Sequence, residues 1–198
     1  MFINAKKTYT MKEVEGKLLT MYSRRRIVSQ SIVERFFEEL VSTNFPMNDV
    51  CSSGPLFCFI LDLKPFLSLN VIKSMVDGGL DFSNIHMRGV AHRKLIREIE
   101  ISYSDKLWGI FIFLCQNTNF VQTIPATEMF DILFGKIIIH KGGISTEFEP
   151  QLVLFNILLA YDKRKHRIKK VYLHKTNFSL RHCIRQKFPL ISNAILDS

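Results

Sequence analysis

The chain has 198 residues, of which 47% are hydrophobic and 23% charged, a composition that excludes bulk disorder. Its length is that of one domain or one repeat array, and it is long enough to bury a core. A formal net charge of +9 leaves nucleic acid or an acidic protein open as partners.

No segment predicts export, membrane insertion or metal binding. Lys6 and Lys7 are not followed by an apolar run, so we expect no secretory signal. The longest apolar stretches, 108–115 and 137–139, are far shorter than the roughly 20 residues that cross a bilayer. Four scattered cysteines and six scattered histidines lack the paired spacing of a zinc site. We therefore expect a cytoplasmic or nuclear protein with reduced thiols, no cofactor, no metal and no membrane partner.

Apolar residues spaced three and four apart predict an all-α chain. In chain order the helices are expected near 10–22, 30–42, 55–63, 69–77, 90–100, 105–116, 127–140, 151–161 and 166–174. Strands compete at 101–103 and 107–113, where β-branched and aromatic residues are frequent.

A sequence pattern repeats with a period in the thirties and one shortened unit. Its anchors are Thr43-Asn44-Phe45, Leu80-Asp81-Phe82, Thr118-Asn119-Phe120, a weaker 142–144 and Thr176-Asn177-Phe178. Ten, seven and six residues before the later anchors the sequence is apolar, whereas Phe45 fits only with a two-residue insertion. These positions predict the inward-facing residues Ile72, Met75, Val76, Ile110, Phe113, Leu114, Ile137, Ile138, Ile168 and Val171.

The turns after these helices are expected to use residues that tolerate positive φ. Such residues stand at Gly78-Gly79, at Asn117 and at Gly142-Gly143.

One unit resembles the ankyrin repeat. Residues 71–82, Val-Ile-Lys-Ser-Met-Val-Asp-Gly-Gly-Leu-Asp-Phe, follow that family's second helix, Ile-Val-x-Leu-Leu-Leu-x-x-Gly-Ala-Asp-Val. Gly54-Pro55-Leu56-Phe57 stands where the family has Thr-Pro-Leu-His. The resemblance implies an ankyrin-like solenoid of four to five stacked helical pairs over 27–180, between an N-terminal cap at 1–26 and a tail at 181–198. It also implies a non-catalytic scaffold that binds a protein on its concave face and turn tips.

The C-terminal segment resembles the opening of a SOCS box. The residues are Ser179-Leu180-Arg181-His182-Cys183-Ile184-Arg185. That resemblance implies a cullin-type ubiquitin ligase adaptor that binds elongin through Leu180, Cys183 and Ile184. The alternative, which we favour, is a capping helix that buries Leu180 and Ile184 on the last repeat.

Two basic runs leave a second alternative open. Arg24-Arg25-Arg26 and the patch Lys163, Arg164, Lys165, Arg167, Lys169 and Lys170 are typical of nuclear localisation or nucleic-acid binding. We favour a solvated helix face, because phosphate contacts alone give unspecific, salt-sensitive binding.

Catalysis is not expected. The sequence has no Gly-x-Ser-x-Gly elbow and no Walker loop, and the adjacent His182 and Cys183 would point apart on a helix.

Overall fold

Helices dominate residues 8–102 and 104–125, the part of the chain that the computed structural model describes. They are α1 (Met11–Ser23), α2 (Gln30–Ser42), α3 (Leu56–Asp62), α4 (Leu69–Asp77), α5 (Ala91–Ser102) and α6 (Asp105–Asn117). Two 3-10 turns cover Lys64–Phe66 and Phe120–Thr123. Strands β1 (Val50–Cys51) and β2 (Gly54–Pro55) form a short antiparallel hairpin, in which Val50 faces Pro55 and Cys51 faces Gly54.

The prediction of an all-α chain is confirmed for these residues, with every helix end within two positions of its expected place. The competing strand at 107–113 is wrong, because those residues lie inside α6. The hairpin was not predicted. The helices expected at 127–140, 151–161 and 166–174 lie outside the described residues.

Polar side chains define where two of the helices begin. At α1 the Glu13 backbone N–H donates to Thr10 Oγ1 at 3.3 Å, and the Thr10 backbone N–H donates to Glu13 Oε2 at 2.7 Å. This reciprocal capping box satisfies backbone donors that have no partner within the helix. At α4, Ser68 Oγ accepts from the backbone N–H of Val71 at 3.2 Å.

The chain divides into two units, Met1–Leu95 and Ile96–Ser198, with the boundary inside α5. In the first unit α2 packs against α4. Helix α3 is apolar on every side, and all its residues from Leu56 to Leu61 are buried. Such a helix needs cover from neighbouring elements around its whole circumference. Other buried residues of this unit are Val14, Leu18, Val33, Phe36, Phe37, Leu40, Val71, Ile72, Met75, Leu80 and Phe82.

The described part of the second unit centres on Phe111 of α6. Its ring stacks on Trp108, with centroids 5.2 Å apart and planes 9° from parallel. The Phe120 ring packs edge-to-face with the Phe111 ring, with the ring centroids 5.8 Å apart. Phe111 and Phe120 are fully buried, which places the aromatic core of this segment between α6 and the 3-10 turn that follows it.

The predicted inward-facing residues are partly confirmed. Ile72, Met75, Ile110 and Leu114 are fully buried. The prediction is wrong for Val76 and Phe113, which are only half-buried.

Their places in the core are taken by other residues of the same helices. Val71 is buried in α4, and Phe111 is buried in α6. Counting back by the same number of residues from each anchor does not give the buried positions of both helices. Helix α4 ends five residues before its anchor Phe82, whereas α6 ends three residues before its anchor Phe120. Ile137, Ile138, Ile168 and Val171 lie outside the described residues.

Candidate interaction surface

Helices α2 and α4 end in the same hydrogen-bonded turn. After α2, the backbone N–H groups of Asn44 and Phe45 donate to the carbonyls of Val41 and Leu40, both at 3.0 Å. After α4, those of Gly79 and Leu80 donate to Val76 and Met75, again both at 3.0 Å. Asn44 has φ 56° and Gly79 has φ 89°, so each turn is a Schellman motif with one left-handed residue.

This shared turn corrects the sequence alignment of the first repeat. Asn44 is equivalent to Gly79, so the offset is 79 − 44 = 35 residues and Phe45 matches Leu80 rather than Phe82. The two-residue insertion is then unnecessary. At this offset the buried residues Phe36, Phe37 and Leu40 match the buried residues Val71, Ile72 and Met75.

In the described residues the expectation of positive φ is confirmed at Gly79, and Gly142-Gly143 lies outside them. Gly78 has φ −79°, and Asn44 is the one non-glycine residue with positive φ in the described ranges, which excludes Asn117. The second Thr-Asn-Phe triplet has another backbone, because Asn119 has φ −81° and starts a 3-10 turn. Identical triplets therefore take different conformations in the two places.

Asn48 joins the two turns directly. Its Oδ1 accepts from the backbone N–H of Asp81 at 2.7 Å, and its Nδ2 donates to the Gly79 carbonyl at 2.9 Å. The buried Met47 side chain lies against Gly78, where an added Cβ would come within 2.8 Å of Met47 Cγ. The first turn is thereby stacked on the second.

The other long-range side-chain hydrogen bonds described in this unit join residues 30 to 37 positions apart. Glu34 Oε1 accepts from Ser68 Oγ at 2.7 Å, and Gln30 Nε2 donates to the Phe66 carbonyl at 2.9 Å. The remaining pairs are Tyr9 with Glu39, Glu15 with Ser52, Asn70 with Glu34, and Lys94 with Asp62. These separations lie in the range of the period that the sequence predicts.

We call residues 44–55 and 79–90 the turn-tip surface. In the first segment the hairpin is held on α1, because the backbone N–H of Ser52 donates to Glu15 Oε2 at 3.2 Å. In the second, the side chains of Asp81 and Asn84 accept from the backbone N–H groups of Ser83 and His86, at 2.9 and 3.0 Å.

Each segment of the turn-tip surface presents an exposed aliphatic side chain on this ordered backbone. Val50 is exposed in the first, and Ile85 is 83% exposed in the second. The two residues are 35 positions apart, the same offset as that between Asn44 and Gly79. Neither residue was singled out from the sequence. Aligning Asn44 with Gly79 would have placed them at matching positions.

The described cysteines are poorly ionised. Burial raises the pKa of Cys51 and of Cys58 to about 11, and burial also raises that of Cys115. These thiols stay protonated at neutral pH and are weak nucleophiles. In residues 8–102 and 104–125 no group of three or more His, Cys, Asp or Glu side chains is placed to hold a metal ion.

Of the residues that the sequence singled out for binding, Arg24-Arg25-Arg26 lies in the exposed turn after α1, and the others lie outside the described residues. They are Leu180, Cys183 and Ile184, and the basic patch Lys163, Arg164, Lys165, Arg167, Lys169 and Lys170. Among the helices described, none has the length and apolar character needed to span a membrane.

Comparison of the chain with protein-family models, with curated proteins and with solved structures finds no significant match.

Proposed function

We propose that this chain is a non-catalytic scaffold of ankyrin-like helical repeats that binds a protein partner at its turn tips. The observation that carries the proposal is the pair of equivalent turns at Asn44 and Gly79, joined by the side chain of Asn48. Equivalent turns linked at a fixed offset are what a stack of repeats requires, because each repeat contacts its neighbours in the same way.

The packing of the helices supports the stack. A single helix pair cannot bury its apolar face alone, so repeats are stable only when they cover one another. Helices α2 and α4, which occupy equivalent places, pack together, and α3 is buried all round. The solenoid of four to five pairs extends this arrangement to the rest of the chain.

The turn-tip surface supports protein recognition. Val50 and Ile85 are aliphatic side chains held in solvent on a backbone that side-chain hydrogen bonds already order. A preordered surface loses little conformational entropy on binding, and an exposed aliphatic group gains from burial against a partner. Repeat scaffolds can vary such tips without changing the core.

The test is affinity capture from cell lysate with the full chain and three variants. The first variant replaces the turn-tip aliphatics (V50D/I85D). Its matched control (I32D/L69D) replaces two exposed aliphatics in the first turns of α2 and α4. The third variant is truncated before Ser179. Circular dichroism and thermal unfolding confirm that each variant is folded.

We expect quantitative mass spectrometry to find proteins that the full chain and the control retain and that V50D/I85D loses. Capture that is unchanged in V50D/I85D would refute the turn-tip proposal. Elongin capture that disappears on truncation would instead support the ligase-adaptor alternative at Leu180, Cys183 and Ile184. Capture that nuclease treatment abolishes would support the nucleic-acid alternative at the Lys163–Lys170 patch.

A further inference from the structure

The turn between α1 and α2 exposes three arginines and an isoleucine in a row. We call Arg24, Arg25, Arg26 and Ile27 the arginine turn. All four side chains are exposed, and Ile27 is 81% exposed. An aliphatic side chain projecting this far beside three positive charges is not explained by packing within the unit.

The backbone of the arginine turn is ordered. The N–H groups of Ile27 and Val28 donate to the Arg24 carbonyl at 2.9 and 3.1 Å. The Nη1 group of Arg25 donates to the Tyr22 carbonyl at 3.3 Å, and the Arg25 guanidinium lies 4.9 Å from the centre of the Tyr22 ring. The Tyr22 ring in turn packs edge-to-face with the Phe66 ring, with the ring centroids 6.0 Å apart. A partner would therefore meet a preformed surface.

The sequence on either side of this turn carries charge of one sign. Between positions 16 and 33 the sequence contains no Asp or Glu. Lys17, the other cation in that stretch, forms an ion pair with Glu39, with Nζ 3.7 Å from Oε2. The arginine turn therefore presents three positive charges that no acidic residue of the surrounding sequence offsets.

Further aliphatic side chains are exposed nearby, at the starts of α2 and α4. Ile32 lies in the first turn of α2 and Leu69 in the first turn of α4. These two helix starts are close together, because Glu34 of α2 accepts hydrogen bonds from Ser68 and Asn70. Gln30, at the start of α2, also reaches the Phe66 carbonyl. The same edge of the unit thus combines cations with exposed aliphatics.

We propose that the arginine turn docks on the surface of a membrane that contains anionic phospholipids. The guanidinium groups of Arg24, Arg25 and Arg26 bind headgroup phosphates, and Ile27 enters the interface between headgroups and acyl chains. Guanidinium matches phosphate in charge and in hydrogen-bond geometry. Basic residues and an inserted apolar side chain reinforce one another at such an interface.

Ile27 favours lipid over nucleic acid. Binding to a nucleic-acid backbone would use the arginines alone and would leave the isoleucine in water. The sequence expectation of no membrane partner came from the lack of a crossing segment. A contact confined to the headgroup region needs no such segment.

The test is co-sedimentation of the full chain with vesicles of phosphatidylcholine, with or without phosphatidylserine. Two variants remove the arginine turn, R24Q/R25Q/R26Q for its charge and I27S for its apolar tip. Two matched controls remove the same charge or the same exposed side chain elsewhere in the chain, outside the turn-tip surface. They are K12Q/K73Q/R97Q and I101S, which replace exposed residues.

We expect binding that requires phosphatidylserine and weakens as salt rises. The triple glutamine variant should lose about fivefold in partition coefficient for each arginine removed. I27S should lose several-fold, while K12Q/K73Q/R97Q and I101S should stay close to wild type.

Equal losses in the two triple variants would overturn the proposal, since binding would then follow net charge alone. Binding to pure phosphatidylcholine, or no binding at all, would also overturn it. So would binding to a labelled single-stranded oligonucleotide that the arginine substitutions abolish while no vesicle binding is seen.

Discussion

Two residues set the direction of the chain after α2 and α4. Asn44 and Gly79 both adopt the left-handed conformation that closes a Schellman turn. Glycine does so because it has no Cβ, and asparagine is among the few other residues that tolerate it. The sequence suggests such turns only by composition. The hydrogen bonds to Leu40 and Met75 establish that these two are equivalent.

At the residue scale we predict opposite effects for two glycine-to-alanine substitutions. A Cβ at Gly79 or at Gly16 would meet no atom within 4 Å, so crowding plays no part in either. Gly79→Ala forces alanine into a left-handed conformation and should lower the free energy of unfolding by about 1–2 kcal/mol. Gly16→Ala, within α1, should raise it by about 0.5–1 kcal/mol.

Urea unfolding followed by circular dichroism measures both glycine variants. Equal changes for the two would contradict the left-handed assignment at Gly79. Asn44→Gly provides a further check, because it should leave the protein as stable as wild type or slightly more so.

Local periodicity in the sequence predicts where the helices lie, but it does not predict which side of α6 is buried. Phe111 and Phe113 are separated by two positions, so on a helix they face in nearly opposite directions. Phe111 is fully buried between Trp108 and Phe120, whereas Phe113 is half-buried. The apolar residues of α6 extend round most of its circumference, so the pattern alone does not select one face.

At the element scale we predict that the two phenylalanines differ in their contribution to stability. Phe111→Ala should lower the free energy of unfolding by about 3–5 kcal/mol, because it leaves a cavity in the core. Phe113→Ala should cost about half as much or less, since part of its ring already contacts water. Chemical denaturation of both variants gives the comparison. A larger loss of stability for Phe113→Ala than for Phe111→Ala would instead support the inward-facing position that the Phe120 anchor predicted for Phe113.

At the scale of the whole molecule, side chains of the first unit join segments that are more than 30 residues apart in the chain. Asn48 makes two such hydrogen bonds, to Gly79 and Asp81. Glu34 makes others, to Ser68 and Asn70. In a repeat protein such contacts between neighbours supply the cooperativity of folding.

At this scale we predict that Asn48→Ala weakens the link between the two turns. The change leaves the Asp81 N–H and the Gly79 carbonyl without their side-chain partner, at a cost of about 1–3 kcal/mol. Hydrogen exchange should accelerate at the Asp81 amide. It should accelerate less at the Leu80 amide, which donates to the Met75 carbonyl within the turn.

The matched control is Asn70→Ala, which removes one exposed hydrogen bond to Glu34 at 3.3 Å. It should change stability by about 0.5 kcal/mol or less. An Asn48→Ala variant with wild-type exchange at Asp81 would show that the stacking of the two turns does not depend on this side chain.

For the described residues the sequence by itself determined the six helices and their approximate ends, because amphipathic periodicity and capping residues act within a few positions of the chain. It also indicated a repeat with a period in the thirties and a turn at Gly79. The tertiary structure alone decided the offset of 35, the hairpin at 50–55, and the burial of Phe111 in place of Phe113.

The turn-tip residues Val50 and Ile85 belong to the features that only the tertiary structure decided. Whether an apolar side chain is buried, and whether an asparagine turns left-handed, depends on what packs against it. Asn44 and Asn119 occupy the middle of identical Thr-Asn-Phe triplets, yet φ is 56° at Asn44 and −81° at Asn119, so the triplet alone does not set this angle.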